Sequence, residues 1–219
     1  PCLWLSASDF AEHGESLDAL LESLPPPPRS PLVTPEGGGR RGVQQTGAFY
    51  RRFLGLPRAP RTLDEWRPIP EAGLAAATNG QLFVDPLGEF SAIRDDLLAF
   101  YPEDLRLARL ARHLHAAGQS GQYNWARSLR RGESVAAALA LAEFVDAALA
   151  VAFLLARRYR PFPKWAHRAV GELPQPGPRL HPLLADLVAA PRRAPARGLG
   201  LVEETSALLA GSLRTEGLS

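Results

Sequence analysis

Cysteine is almost absent from this sequence. Cys2 is the only one among 219 residues, which excludes an internal disulfide and a zinc site built from several thiolates. It lies in the short apolar stretch Cys2–Leu5, which is typical of a buried strand, so a nucleophilic role for its thiol is not expected. Apolar residues make up 46% of the chain, which is ample for a packed core.

A large charge imbalance is also lacking. The chain has 25 Lys plus Arg residues against 23 Asp plus Glu, and this excess is too small to predict nucleic-acid binding. Lys164 is the only lysine, and the abundance of Arg, Ala, Pro and Gly suggests a GC-rich bacterial genome. A lysine in such a chain indicates a position that requires a compact ammonium group, although chance explains it equally well.

Familiar catalytic signatures are missing too. The five histidines show no zinc-binding spacing, and His113 and His115 are two residues apart on a predicted helix, so they point to different faces. No G-x-S-x-G elbow is present, and the glycines 37–39 lack the Lys and Ser/Thr of a phosphate-binding loop. The sequence therefore predicts no metal ligands and gives no support for a serine hydrolase.

The most apolar segment runs from Val135 to Ala156, where only Glu143 and Asp146 are polar. Its length and its many Ala and Leu residues predict an α-helix that is buried all round. The longest run without a charge, Ala147–Ala156, is ten residues, about half of what a membrane span needs. We therefore expect a core helix and no membrane partner.

The two carboxylates of this helix are three residues apart and share one face. Buried acids need partners, and arginines flank both ends of the helix. One interpretation is a pair of structural acids bound to arginine. The other is a functional site in which burial raises the pKa of Glu143 toward neutrality, so that it can act as a general base.

The rest of the chain predicts a fold that is mostly α with a small α/β portion. A strand at Cys2–Leu5, a helix from about Asp9 to Leu24, a loop to about Gly42 and a strand at Val43–Thr46 form the α/β unit, residues 1–56. Residues 57–188 are predicted to be a helical bundle around the long apolar helix. Residues 189–219 are predicted to be a linker, to about Gly200, and an amphipathic helix that could dock on a second copy in a homodimer.

Two clusters are candidates for ligand binding. Residues 119–125 form an uncharged polar cluster with two aromatic rings, and residues 157–165 interleave aromatic rings with Arg and Lys. Aromatic rings can stack on nucleobases and cations can hold phosphates. The alternative is that the rings pack the end of the bundle while the cations remain in solvent.

Several long stretches resemble a known family. They include PCLWLSASDF, GAFYRRFLG, GQSGQYNWARSLRRGESVAAALALAEFV and FLLARRYRPFPKWAHRAVGEL. Together they resemble the bacterial family called domain of unknown function 4037, over most of Pro1–Val188. That family is similar to the aminoglycoside-type nucleotidyltransferases of the polymerase-β superfamily. The resemblance implies a nucleotidyltransferase-like α/β domain, of which residues 1–56 are a part, followed by a helical domain.

One departure from that family bears on catalysis. In such proteins a Gly-Ser turn and an Asp-x-Asp pair precede the strand that corresponds to Cys2–Leu5, and those carboxylates bind the Mg²⁺ that clamps a nucleoside triphosphate. This chain has no such motif. We therefore expect no cofactor bound by this chain alone, and no nucleotidyl transfer by it alone; Mg²⁺ and a nucleoside triphosphate would serve a full-length enzyme.

The resemblance implies transfer of a nucleoside monophosphate to a hydroxyl of a small molecule. Such chemistry consists mostly of positioning and charge neutralisation. In this interpretation Lys164 and Arg130 contact phosphates and Glu143 is the general base. The other predicted nucleotide or substrate contacts are Tyr123, Asn124, Asp146 and Trp165.

A second hypothesis belongs to a different functional class. The missing metal-binding motif favours a non-catalytic helical module that binds a ligand or a protein partner. The first residues lack the basic and apolar regions of a signal peptide, so either function is expected in the cytoplasm.

Overall fold

A computed structural model describes residues 2–24, 42–190 and 195–218. These form two compact units, which divide the chain at Ala99 and Phe100 and are called unit 1 and unit 2. The protein is mostly helical (71%) with one small two-stranded parallel sheet, which confirms the predicted mixture of secondary structure. The three-part division at residues 56 and 188 stays a prediction. The loop predicted after Leu24 lies, as far as residue 41, outside the described residues.

Unit 1 begins with a strand–helix–strand element. Strand β1 (Cys2–Leu5) is followed by helix α1 (Ala7–Ser23) and strand β2 (Gly42–Gln45), and the two strands pair in parallel with Cys2 opposite Gly42. The helix begins where expected because the Ser6 side chain accepts a hydrogen bond from the Asp9 backbone amide at 3.1 Å. The short α/β element is therefore present, while the resemblance to a nucleotidyltransferase domain stays a prediction.

Aromatic packing surrounds this sheet. Helices α2 (Thr46–Leu54), α3 (Leu63–Trp66), α4 (Glu71–Thr78) and α5 (Glu89–Leu98) complete unit 1. The ring of Trp4 lies 5.5 Å from that of Phe49 and 5.0 Å from that of Phe90. The Tyr50 hydroxyl donates to the Phe90 carbonyl at 3.1 Å, and burial raises the pKa of Tyr50.

Unit 2 consists of helices packed around the long apolar segment. In chain order they are α6 (Glu103–Ala117), a π-helix (Gly118–Trp125), α7 (Ala126–Arg130), α8 (Ser134–Leu155), α9 (Pro163–Val170), α10 (Gly177–Ala189) and α11 (Pro195–Thr215). Helix α8 packs chiefly on α6 and on the π-helix. The predicted helical bundle around one long helix is thus present in this unit.

The π-helix was not predicted. At Gly118 the backbone continues from α6 into eight residues of the wider helix. Gly121 permits this packing, because a Cβ atom there would overlap the ring of Phe144 on α8. The Ser120 hydroxyl is buried and donates to the Ala116 carbonyl at 2.6 Å. Since π-helical segments often mark functional sites, this element is a candidate for one.

Helix α8 is buried over only part of its length. From Ala147 to Leu155 every residue is buried, whereas Val135 is 73% exposed and Leu139 is 68% exposed. The prediction of a helix buried all round is therefore wrong for its first three turns, because neighbouring helices cover only one side there. Among the described residues, α8 is the one helix that is long and apolar enough to cross a membrane. Because 61% of its apolar 18-residue stretch is buried inside the protein, this is weak support for a membrane span.

Buried Arg106 connects three elements of unit 2. Its guanidinium contacts Glu103 at 2.6 Å, Glu216 at 3.0 Å and the Leu154 carbonyl at the end of α8 at 3.3 Å. The sequence did not single it out. Its charge is paired twice, and it supplies a further donor to a carbonyl at the end of α8.

The last helix is longer than predicted. Helix α11 begins at Pro195 rather than after about Gly200, and it follows helix α10, which begins at Gly177. The remainder of the predicted linker, residues 191–194, is outside the described residues. Gly198 of α11 lies so close to Trp125 that a Cβ atom would overlap the indole.

Candidate functional site

A cleft of about 740 Å³ lies within unit 2, along the partly exposed side of α8. The π-helix, α7, α9 and α10 contribute lining residues to it, as does Gly198 of α11. Its wall is mostly apolar, with Leu129, Leu141 and Val145 among the lining residues. The volume is within the range of small-molecule sites, so the cleft can hold a ligand of drug-like size.

The apolar wall follows from the sequence of α8. Ala137, Leu141 and Val145 recur at four-residue spacing and therefore form one stripe along the helix. Ala138 and Ala142 widen that stripe, and their small side chains leave the space that larger residues would fill. The Trp125 indole, 7% exposed, closes one end of the wall.

The polar groups of the cleft are few. Two carboxylates, Glu133 and Asp146, reach its lining together with His167 and the hydroxyl residues Ser128 and Ser134. Of the residues that line the cleft in the described part of the chain, none is Lys or Arg. The cleft therefore suits a cation or a neutral hydrogen-bond donor better than it suits a phosphate.

Asp146 is the predicted site residue that lines the cleft. Its carboxylate lies 2.7 Å from the Arg160 guanidinium, which also donates to the Asp146 backbone carbonyl at 2.9 Å. The expected pairing with an arginine after the helix is thus present. The expected burial is not, because 56% of the Asp146 side chain remains exposed.

Glu143 does not face the cleft. Its side chain is exposed on α8, and Glu143 is not among the lining residues in the described part of the chain. The prediction that Glu143 is buried is wrong. Its neighbours in the sequence are apolar, but this did not place its side chain in the core. The burial on which its role as a general base depended is therefore absent, and that role stays untested.

The predicted residues of the π-helix and α7 lie on the surface. Tyr123, Asn124 and Arg130 are exposed, and none of them lines the cleft. The Arg127 guanidinium hydrogen-bonds the Tyr123 hydroxyl and lies 5.5 Å from the centre of its ring. Neighbouring residues of the same segment, among them Trp125 and Ser128, line the cleft, and the predicted role of Tyr123, Asn124 and Arg130 stays a prediction.

Lys164 and Trp165 are also exposed, on α9. The Lys164 ammonium lies 5.7 Å from the centre of the Trp165 ring, and the Arg168 guanidinium lies 5.4 Å from it. The indole is 45% exposed, and α9 contains no acidic residue. Because Ala166 and His167 line the cleft from the same helix, helical spacing turns Lys164, Trp165 and Arg168 away from it.

His167 was missed by the sequence reasoning. It lines the cleft, and its ring stacks on that of His181 at 4.2 Å between centres and 17° between planes. The two residues are fourteen positions apart and on different helices, so no spacing rule could have paired them. A weak signal was available, since His167 lies two residues after the aromatic and basic segment that ends at Trp165.

No metal centre is evident where side chains are described. There, no three His, Cys, Asp or Glu residues lie together as metal ligands would.

Comparison with known proteins adds one finding. Residues 66–166 match the family model of a domain of unknown function (DUF4037). The matched segment is a little under half of the chain, and it contains α6, the π-helix, α7 and α8 but ends before His167, α10 and α11. Comparisons with curated proteins and with solved structures gave no match. The resemblance noted from the sequence is thus confirmed for residues 66–166 as a domain of unknown function.

Proposed function

We propose that unit 2 binds a small molecule that has an apolar body and a hydrogen-bond-donating end, either an ammonium or a hydroxyl group. One observation carries the proposal. The cleft of about 740 Å³ has a mostly apolar wall and two carboxylates, and its described lining contains no Lys or Arg. The apolar wall supplies affinity by removing the ligand body from water. The carboxylates select the charge of the polar end.

Calorimetry with three ligands that share one octyl chain tests this function. Octylamine is expected to bind more tightly than octanol, and octanol more tightly than octanoate, because the Glu133 carboxylate attracts an ammonium group and repels a carboxylate, whereas the charge of Asp146 is balanced by Arg160. An equal affinity for all three would show that the carboxylates select nothing. Absence of binding by all three would remove the cleft as a ligand site.

A matched pair of variants locates the binding. Ala142 is exposed and lines the cleft, so Ala142→Phe should obstruct it without disturbing the core. Ala136 is exposed on the same helix but lies outside the lining. We expect Ala142→Phe to weaken octylamine binding about tenfold, or about 1.4 kcal/mol, and Ala136→Phe to leave it unchanged. Equal loss in both variants would place binding elsewhere.

We also propose that this binding serves a bacterial nucleotidyltransferase-like protein, in which the cleft holds the acceptor. The exposed cations Lys164 and Arg168 on either side of Trp165 favour this second function, because a phosphate-bearing nucleotide needs cations that the cleft wall lacks. Calorimetry with ATP and Mg²⁺ should show weaker binding by Lys164→Met than by the unaltered protein. Equal affinity would remove Lys164 from the phosphate site and leave the cleft proposal intact.

A further inference from the structure

His167 stands apart from the other polar groups of the cleft. The Asp146 carboxylate is already paired with Arg160 at 2.7 Å, and Glu133 lies on the exposed approach to α8. His167, by contrast, is only partly exposed, and it belongs to the eight-residue helix α9. A neutral imidazole carries one donor and one acceptor, so its contribution to recognition depends on which nitrogen bears the proton.

The geometry around His167 fixes that choice. Its Nε2 atom lies 3.0 Å from the His181 backbone carbonyl oxygen. A carbonyl oxygen can only accept, so Nε2 must carry the hydrogen and donate it. In the neutral ring Nδ1 then has a free lone pair, and among the described residues it has no hydrogen-bond partner.

The His181 ring holds this arrangement in place. It stacks on His167 at 4.2 Å with nearly parallel planes, which restrains rotation of the His167 ring about its side-chain bonds. Gly171, at the end of α9, makes room for it, since a Cβ atom at Gly171 would come within 3.3 Å of the His181 ring. The backbone carbonyl and the ring of His181 thus orient the His167 side chain from a second helix, as supporting residues do at preorganised sites.

We propose that Nδ1 of His167 is the hydrogen-bond acceptor through which the cleft recognises a hydroxyl or ammonium group, and that His181 is the positioning residue that fixes its tautomer and orientation. This inference rests on the proposed small-molecule binding and adds to the carboxylates a further group that recognises the polar end of the ligand. Every ionisable group in the described lining would then accept a hydrogen bond: two carboxylates and one imidazole nitrogen. The ligand class is accordingly an apolar alcohol or amine and not an ether, ester or acid.

Nitrogen-15 NMR of the ligand-free protein tests the tautomer. At about pH 8, where histidines are neutral, the His167 ring should show the pattern of an Nε2–H tautomer, with Nδ1 unprotonated. The signal is assigned by its loss in His167→Phe. A ring that carries its proton on Nδ1, or that exchanges equally between tautomers, would overturn the inference before any ligand is added.

A matched ligand pair then tests recognition. Octanol can donate a hydrogen bond and octyl methyl ether cannot, so the unaltered protein should prefer octanol about three- to tenfold, the range expected from one hydrogen bond. His167→Phe keeps an aromatic ring for the stack but lacks the acceptor, and it should abolish the preference. His167→Asn, whose amide oxygen lies near the former position of Nδ1, should restore part of it.

Two substitutions at position 181 test the positioning role. His181→Phe retains the stack and the backbone carbonyl, so the preference for octanol should persist. His181→Ala removes the stack and should reduce the preference, with a mixed tautomer in the NMR spectrum.

A preference that survives in His167→Phe would overturn the inference while leaving cleft binding established. Failure of the unaltered protein to bind any octyl ligand would overturn both, and the NMR result would still report the tautomer separately.

Discussion

At the scale of single residues, two histidines of unit 2 differ through their surroundings. His113 and His115 lie on the same helix, α6, where His115 is exposed and His113 is partly buried. Burial, together with the neighbouring Arg112 guanidinium, lowers the pKa of His113 to about 4. Arg112 also lies 3.1 Å from Nε2 of His113, a contact that the neutral ring accepts. The folded protein therefore holds His113 neutral.

This difference predicts a pH-dependent loss of stability. The folded pKa of about 4 lies below the ordinary value of 6.5, so between these pH values the unfolded chain binds more protons and the folded state loses stability as pH falls. The loss should be about 1–2 kcal/mol after allowance for solvent screening. Urea unfolding at pH 7 and pH 4 should show a smaller loss for His113→Gln than for His115→Gln; identical losses would contradict the assignment.

At the scale of secondary-structure elements, the π-helix and α8 depend on one close contact. Gly121 faces Phe144, which is fully buried, and no side chain at position 121 fits between the two helices. The wide turns of the π-helix place Trp125 beside the apolar wall of the cleft. The packing of this element thus determines the shape of one end of the cleft.

A pair of glycine substitutions measures that contact. Gly121→Ala should destabilise the protein by about 1–3 kcal/mol, because the added methyl group overlaps the Phe144 ring in a packed core. Gly211 on α11 has open space around it, so Gly211→Ala should stabilise by about 0.4–1 kcal/mol through a lower chain entropy in the unfolded state. Thermal and urea unfolding measure both changes. Equal effects of the two substitutions would refute the close contact.

At the scale of the whole molecule, unit 2 has a core of its own. Trp125, Phe144, Leu187 and Val202 join helices from the beginning, middle and end of this unit in one buried cluster. Buried Arg106 further ties the end of α8 to Glu216 near the C-terminal end of α11. Every lining residue of the cleft that the structure describes also belongs to unit 2.

We therefore expect residues 100–219 to fold alone and to retain the cleft. The isolated unit should unfold cooperatively and bind octylamine with about the affinity of the full chain, since both its core and the cleft wall are within it. Circular dichroism and calorimetry check the two expectations. A non-cooperative transition, or helical structure without binding, would show that unit 2 does not stand alone. Ala142→Phe in the same fragment is the control for specific binding.

How far the sequence could predict the fold is clear from particular elements. Strand β1, helix α1 and the long helix α8 followed from local patterns, because strand alternation, helical spacing and apolar composition act between near neighbours. The π-helix did not, since its wider turns are stabilised by packing of Gly121 on Phe144, a contact between separate elements.

For the site, the sequence by itself determined which residue types were available: one lysine, the flanking arginines and two acids on the apolar helix. The sequence also predicted that Asp146 pairs with a flanking arginine, and the contact with Arg160 confirms this. Only the tertiary structure decided which of them share a cleft. Exposure of Glu143 and the stacking of His167 on His181 both depend on which face of each helix its neighbours cover, and that is set by contacts between residues far apart in the chain.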